Sequence, residues 1–288
     1  MLCNSETWFN LTKTELELLE SVDLMLLRKI LGTTKSTPKE MFYLELGLLP
    51  FREIVRQRRL NFLHYILAQD VNSVIFKVFE KQNKERHRND WVSSVVRDLE
   101  EIKLNVSFVE IQKTSKMIWR NIVRKYIEEN AFKKLESIKQ THSKVKDLKH
   151  TQIRIQEYFL PNGILKITKE DVQLVFQMRC KVTNVKMNSK GQYENFECEA
   201  CLLEHESQEH VYKCEEILKQ QNDIHKNKPN YERLMWGNVN DKIKVAKIFN
   251  EKMNILQTIR ESKISQMAPG DRINSCLQYC DDTDWKYI

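Results

Sequence analysis

Glycine and proline are scarce in this chain of 288 residues, which contains six glycines and five prolines. A turn-rich all-β fold would need more of both, so their scarcity favours long helices joined by short loops. No apolar run approaches the ~18 residues of a transmembrane helix. The first ten residues lack the basic and apolar regions of a secretory signal. We therefore expect a mainly α-helical protein with no membrane partner, located inside the cell, in the nucleus or the cytoplasm.

Cysteine is sparse as well, and three of the seven cysteines fall in one short motif. A secreted disulfide framework would be denser and would occupy a shorter chain, so a reducing compartment is the natural assignment. Cys180, which is outside the motif, is expected to be a small core residue rather than a nucleophile.

The cysteine motif has the spacing C-x2-C-x8-H-x3-C, and its four residues are Cys198, Cys201, His210 and Cys214. Two cysteines separated by two residues can point both thiolates at one ion from a tight turn. His210 and Cys214 are four residues apart, so they share one face of a helical turn. Four nitrogen and sulfur ligands predict a closed, structural zinc site of the zinc-knuckle type.

Two alternatives to this zinc site remain open from the sequence. His205 is a rival ligand with a shorter spacing, although His210 has the better helical register with Cys214. The other alternative is that these are three ordinary cysteines beside a histidine.

The charge pattern indicates a polyanionic partner. The chain has 47 lysines and arginines against 40 acidic residues, a net charge of +7. Two helices have basic stripes, which predict contacts to the phosphates of RNA or DNA. The alternative for each stripe is the solvated side of an amphipathic helix. The stripe residues are Arg52, Arg56 and Arg59 on the first helix and Lys116, Arg120 and Arg124 on the second.

The apolar periodicity predicts helical, bundle-like domains with a small zinc-knuckle-like module. Capping boxes predict helix starts after Thr12 and Thr168, and Asp90 is the predicted cap of another helix. We expect a helical domain over residues 1–138, a basic linker over 139–162, a helix plus the metal module over 163–221, and a last helix and tail over 222–288.

Several motifs in this order resemble the C-terminal region of non-LTR (LINE-type) retrotransposon reverse transcriptases. They are NSETW at residues 4–8, LTKT at 11–14, RKILG at 28–32, LELG at 44–47 and RLNFLH at 59–64. The cysteine–histidine motif is similar to the one near the C-terminus of those enzymes. Cys3 departs from the pattern, since the family usually has tyrosine there. The resemblance covers most of the chain up to about Cys214.

The resemblance implies that the endonuclease and polymerase domains of the family precede this region, so we expect a chain without catalytic activity. Residues 279–282 read YCDD and match the YxDD shape of a polymerase active site. They follow the cysteine motif, whereas the family's YxDD precedes the LTK segment, so we expect no catalytic role for them. The sequence also lacks a phosphate-binding glycine loop, a dinucleotide fingerprint and an HExxH pair.

Two functions are consistent with these features. The first is non-catalytic binding of RNA or DNA by a retrotransposon-derived chain with a structural zinc ion. The second is a helical protein-interaction or structural module that does not bind nucleic acid.

Overall fold

The protein is mainly α-helical in a computed structural model, as the scarcity of glycine and proline predicts. The structure describes residues 4–9, 11–142, 144–148, 150, 152–160, 167–188, 193, 195–220 and 229–266. Strand-like pairing in these residues is limited to two isolated bridges. Among the same residues, no helix is both long enough and apolar enough to cross a membrane.

The chain divides into two compact units, one formed by residues 1–27 and 39–155 and the other by residues 28–38 and 156–288. The helices are α1 (Lys13–Leu31), α2 (Lys39–Leu46), α3 (Phe51–Leu67), α4 (Val74–Lys84), α5 (Trp91–Glu101), α6 (Phe108–Lys113), α7 (Lys116–Thr141), α8 (Lys169–Arg179), α9 (Gln208–Lys213), α10 (Glu215–Gln220), α11 (Arg233–Trp236) and α12 (Val239–Gln266).

The predicted helix caps are confirmed. The backbone N–H of Thr12 donates to Glu15 over 2.7 Å, and Glu15 N–H donates back to the Thr12 hydroxyl over 3.2 Å. The same reciprocal pair joins Thr168 and Asp171 at the start of α8. Asp90 accepts from the backbone N–H of Ser93 at the start of α5. These side chains satisfy amide groups that have no partner within the first helical turn.

In the first unit, α3 packs against α5 and α7. Leu60 and Leu63 of α3 are fully buried, as are Val123 and Ile127 of α7. The indole Nε1 of Trp119 donates to the carbonyl of Leu60 over 2.9 Å, so this large buried ring also satisfies its polar atom. This face of α7 therefore forms part of the core.

The first part of the predicted linker also packs into the first unit. Helix α7 continues to Thr141, and Val145 and Leu148 beyond it are fully buried. The lysines around these two residues make the segment polar on average, which hides its apolar contacts in the sequence.

In the second unit, α12 packs against α8, α9, α10 and α11. Helix α8 ends at Arg179, because Lys181 adopts a positive φ of 54° that no α-helix continues. Helices α6 and α11 are short, with six and four residues. Residues 161–166, 189–192 and 267–288 lie outside the described residues, and the last of these ranges includes the predicted tail and the YCDD segment.

Candidate metal centre

The four predicted ligands come together in the second unit. The ligand atoms of Cys198, Cys201, His210 and Cys214 all lie within 4.8 Å of one another, so the group can hold a metal ion. Cys201 Sγ and His210 Nε2 are 3.4 Å apart. The rival ligand His205 is exposed and is not part of this group. Three sulfur atoms and one imidazole nitrogen are a donor set suited to a tetrahedral metal.

A tight turn presents the first two thiols. The backbone of Glu197 pairs with that of His205 in an antiparallel bridge, and Cys198 N–H donates to the Glu204 carbonyl over 2.8 Å. Leu202 N–H then donates to the Cys198 carbonyl over 2.9 Å. The turn requires a left-handed conformation at Leu202, whose φ is 56°. Such a conformation is costly for leucine, so the surrounding pairing must hold it in place.

Helix α9 presents the other two ligands. Ser207 caps the helix by accepting from the backbone N–H of His210 over 3.1 Å. Cys214 follows the last helical residue, and its N–H donates to the His210 carbonyl over 2.7 Å. The spacing of four residues thus places both side chains on one side of a single short helix, as the sequence predicts.

A carboxylate orients the His210 ring. Nδ1 of His210 lies 3.0 Å from Oε2 of Glu204. When Nδ1–H donates to this carboxylate, the lone pair of Nε2 is free to face Cys201 and a bound ion. Metal-binding histidines are commonly oriented in this way by a carboxylate, which also makes the imidazole more basic.

The two thiols of the turn have different acidities. Burial raises the pKa of the Cys198 thiol to about 12, and the neighbouring thiols Cys214 and Cys201 contribute to the rise. Burial would also raise the pKa of Cys201, but the backbone N–H groups of Leu203 and Glu204 outweigh it and lower that pKa. A metal ion must therefore displace a proton from Cys198 when it binds.

Ion pairs attach the metal module to the rest of its unit. The buried carboxylate of Glu206 pairs with the guanidinium of Arg260 on α12. Nζ of Lys263, also on α12, lies 2.9 Å from Glu199 Oε2. Lys186 pairs with the same Glu199, and the two ammonium groups lower the pKa of that carboxyl although its burial acts in the opposite direction.

The surface around the site is acidic. The groove beside the ligands is lined by five glutamates and a single lysine. A divalent ion bound by three thiolates would itself carry a net negative charge. This charge balance disfavours phosphate contacts at the module and favours a structural role. The glutamates are Glu197, Glu204, Glu209, Glu215 and Glu216.

The structure corrects the prediction for the basic stripe of α3. The guanidinium of Arg56 is buried and pairs with Glu53, Asp98 and Glu101. Arg59 is also buried, with Nη1 2.7 Å from Asp98 Oδ2. Both arginines therefore form internal ion pairs, so neither is on a surface that can contact phosphates. Arg52 is half-exposed, and its Nη2 lies 2.8 Å from Oε1 of Glu101.

The basic stripe of α7 is at the surface. Lys116, Arg120 and Arg124 are all exposed, and they are four residues apart along one side of the helix. Each step of four residues advances about 6 Å along the axis. Because Arg56 and Arg59 are buried, they cannot join the exposed stripe of α7 in one basic surface.

Sequence reasoning missed Glu204, Glu206 and Arg260. Glu204 has a weak sequence signal, since an acidic residue near a metal-binding histidine is a candidate to orient it. The pair of Glu206 with Arg260 joins residues 54 positions apart and has no local signal.

No protein-family model matches the chain, and neither a curated protein nor a solved structure matches it. The resemblance to LINE-type reverse transcriptases therefore rests on the sequence motifs alone.

Proposed function

We propose that this chain is a retrotransposon-derived, non-catalytic protein that binds RNA or DNA and is stabilised by a structural zinc ion. The observation that carries the metal assignment is the convergence of three cysteine sulfurs and one imidazole nitrogen within 4.8 Å. Zinc binds cysteine sulfur and histidine nitrogen in a tetrahedral arrangement, and it has no redox chemistry. All four positions of a tetrahedron are supplied by the protein, which fits a structural ion rather than a catalytic one.

Nucleic-acid binding is assigned to α7. Its three exposed cations can each contact one phosphate, whereas the metal module is surrounded by carboxylates. The zinc ion would then order the second unit, and the first unit would make the phosphate contacts. The origin from a retrotransposon is supported by the ordered motifs at residues 4–64 and by the cysteine–histidine spacing.

Metal analysis of the purified protein tests the first part of the proposal. We expect one zinc ion per chain in the wild type and a loss of zinc in Cys201→Ser. A metal content near zero in the wild type, or an unchanged content in the variant, would show that the four residues do not bind zinc.

Salt-dependent binding tests the second part. Wild-type affinity for single-stranded RNA or DNA should fall steeply between about 50 and 200 mM salt, by on the order of 10³ if several phosphates are neutralised. Replacing Lys116, Arg120 and Arg124 together by alanine should reduce the logarithmic salt slope by about 2 for a single strand. Lys77→Ala, an exposed lysine of α4, is the control. Equal slopes in wild type and triple variant would refute the role of α7.

A second candidate is a protein-interaction module without nucleic-acid binding. It is favoured by an exposed apolar row on α1, formed by Leu18, Val22, Met25 and Leu26. The salt titration separates the two candidates, because this one requires that the wild-type chain bind neither RNA nor DNA.

A further inference from the structure

A pocket in the first unit, between α3 and α5, contains an excess of positive charge. Its volume is about 60 Å³. Leu11, Leu16 and Val55 contribute apolar surface to its walls. Its charged lining consists of four arginines and two carboxylates, namely Arg52, Arg56, Arg59, Arg97, Asp98 and Glu101.

The carboxylates at this pocket are each shared between two cations. Asp98 pairs with both Arg56 and Arg59, and Glu101 pairs with both Arg52 and Arg56. A third carboxylate, Glu53, pairs with Arg56 and with Lys134. Nζ of Lys134 lies 3.0 Å from Oε1 of Glu53. With Arg97, five cations therefore face three carboxylates, which leaves two positive charges in excess. The buried cations Arg56 and Arg59 are matched by these carboxylates, so the excess charge lies on exposed side chains. The two of these at the mouth of the pocket, Arg52 and Arg97, attract an added anion.

Arg97 is the cation through which an added anion can bind. Its side chain is exposed at the pocket, and in the described part of the chain it has neither an ion pair nor a hydrogen bond. Its charge acts electrostatically on Arg59 in the cluster. Burial lowers the pKa of Arg59, and the nearby charges of Arg56 and Arg97 add to that effect even though Asp98 opposes it.

We infer that this pocket is a binding site for a phosphate group, with Arg97 and Arg52 as its two ligands at the mouth. A planar guanidinium donates two parallel N–H bonds to a phosphate, which a point charge such as ammonium does not. The apolar wall lowers the local dielectric constant and strengthens these contacts. The site shares no residue with the metal centre or with the stripe of Lys116, Arg120 and Arg124, so it goes beyond the proposed function.

Calorimetric titration of the full chain with inorganic phosphate tests the inference, with chloride at equal ionic strength as the blank. We expect saturable binding at one site. Arg97→Ala should weaken it at least about tenfold, the effect of losing one charge-assisted hydrogen bond. Arg97→Lys should weaken it less, because it keeps the charge and loses only the paired geometry. Circular dichroism would establish that these exposed substitutions leave the helices intact.

The matched control is Arg88→Ala, which removes another exposed arginine of the same unit that does not line the pocket. It should bind phosphate as the wild type does. The inference is overturned if the wild type shows no saturable phosphate binding, or if Arg97→Ala and Arg88→Ala bind equally well. Removing Lys116, Arg120 and Arg124 should leave inorganic phosphate binding unchanged, so failure of this site and failure of the proposed function are distinguishable.

Competition identifies the source of the phosphate group once binding is established. An oligonucleotide with a 5′-phosphate that displaces inorganic phosphate better than its 5′-hydroxyl form supports a nucleic-acid end as the ligand. Equal displacement by both forms supports internal phosphodiesters, and displacement by neither supports a free phosphate compound.

Discussion

Glu204 holds the imidazole of His210 in the orientation that a metal ligand needs. Oε2 of Glu204 lies 3.0 Å from Nδ1 of His210, while Nε2 of the same ring lies 3.4 Å from Cys201 Sγ. One side of the ring is thus fixed by a carboxylate and the other faces the thiols. This pair extends the metal centre beyond the four residues of the motif.

Glu204→Gln should weaken zinc binding by about 10–100-fold, because the ring loses the carboxylate that fixes its tautomer and its orientation. The measurement is a competition titration with a chromophoric chelator. Glu209→Gln is the control, since Glu209 lines the same groove and pairs with Lys213 instead. Equal affinities in the two variants would mean that Glu204 acts only through its surface charge.

His210→Ala should lose zinc, whereas His205→Ala should retain it. Both histidines belong to the same module, but only His210 lies within the group of ligand atoms. Zinc content after gel filtration distinguishes them. Retention of zinc by His210→Ala together with its loss in His205→Ala would show that His205, not His210, is the fourth ligand.

Removal of zinc by a strong chelator should unfold the module around the site and leave the first unit intact. The segment has a small apolar core, and structural zinc contributes on the order of 10–16 kcal/mol to the folding of such segments. Hydrogen exchange should accelerate in residues 196–220 and stay unchanged in α3 and α7. Uniform protection before and after chelation would show that the fold of the module does not depend on the metal.

Arg56→Ala should destabilise the first unit by about 3–5 kcal/mol, because it leaves Glu53 and Asp98 buried without their shared cation. Arg52→Ala is the matched comparison, and its half-exposed ion pair should be worth about 0–1 kcal/mol. Urea unfolding followed by tryptophan fluorescence measures both. Similar losses for the two variants would contradict the internal role assigned to Arg56.

The Asp90 cap should make the first unit sensitive to acid. Burial tends to raise the pKa of this carboxyl, but the backbone N–H groups of Ser93 and His87 outweigh it and lower the pKa. A lowered folded pKa stabilises the protein above the unfolded value, about 3.9, and this contribution disappears as the pH falls through the folded pKa. The difference in free energy of unfolding between wild type and Asp90→Asn should therefore become smaller in acid. An advantage independent of pH would argue against ionisation of the cap.

The local features of the fold could be predicted from the sequence because their causes are local. Thr12 with Glu15, Thr168 with Asp171, and Asp90 lie within one helical turn of the amides that they cap. The metal site is also nearly local, since its ligands lie within 17 residues and two tight elements hold them. Short spacings limit the possible geometries, so residue type and spacing are sufficient to predict such a site.

The basic stripe of α3 shows where such reasoning fails. Arg52, Arg56 and Arg59 have the spacing of an exposed cationic face, and helical periodicity cannot distinguish that face from a buried network. The difference is made by Asp98 and Glu101 on α5, roughly 40 residues away. Only when the two helices pack does the partner of each cation become defined.

The sequence by itself determined the helical class, the helix caps and the four residues that could hold a metal ion, because each depends on contacts between residues that are close along the chain. The tertiary structure alone decided which cations are internal and that Arg260 attaches Glu206 to α12. Those outcomes depend on which distant side chains meet when helices pack, and burial then determines whether a charge is available to a ligand or already neutralised inside the fold.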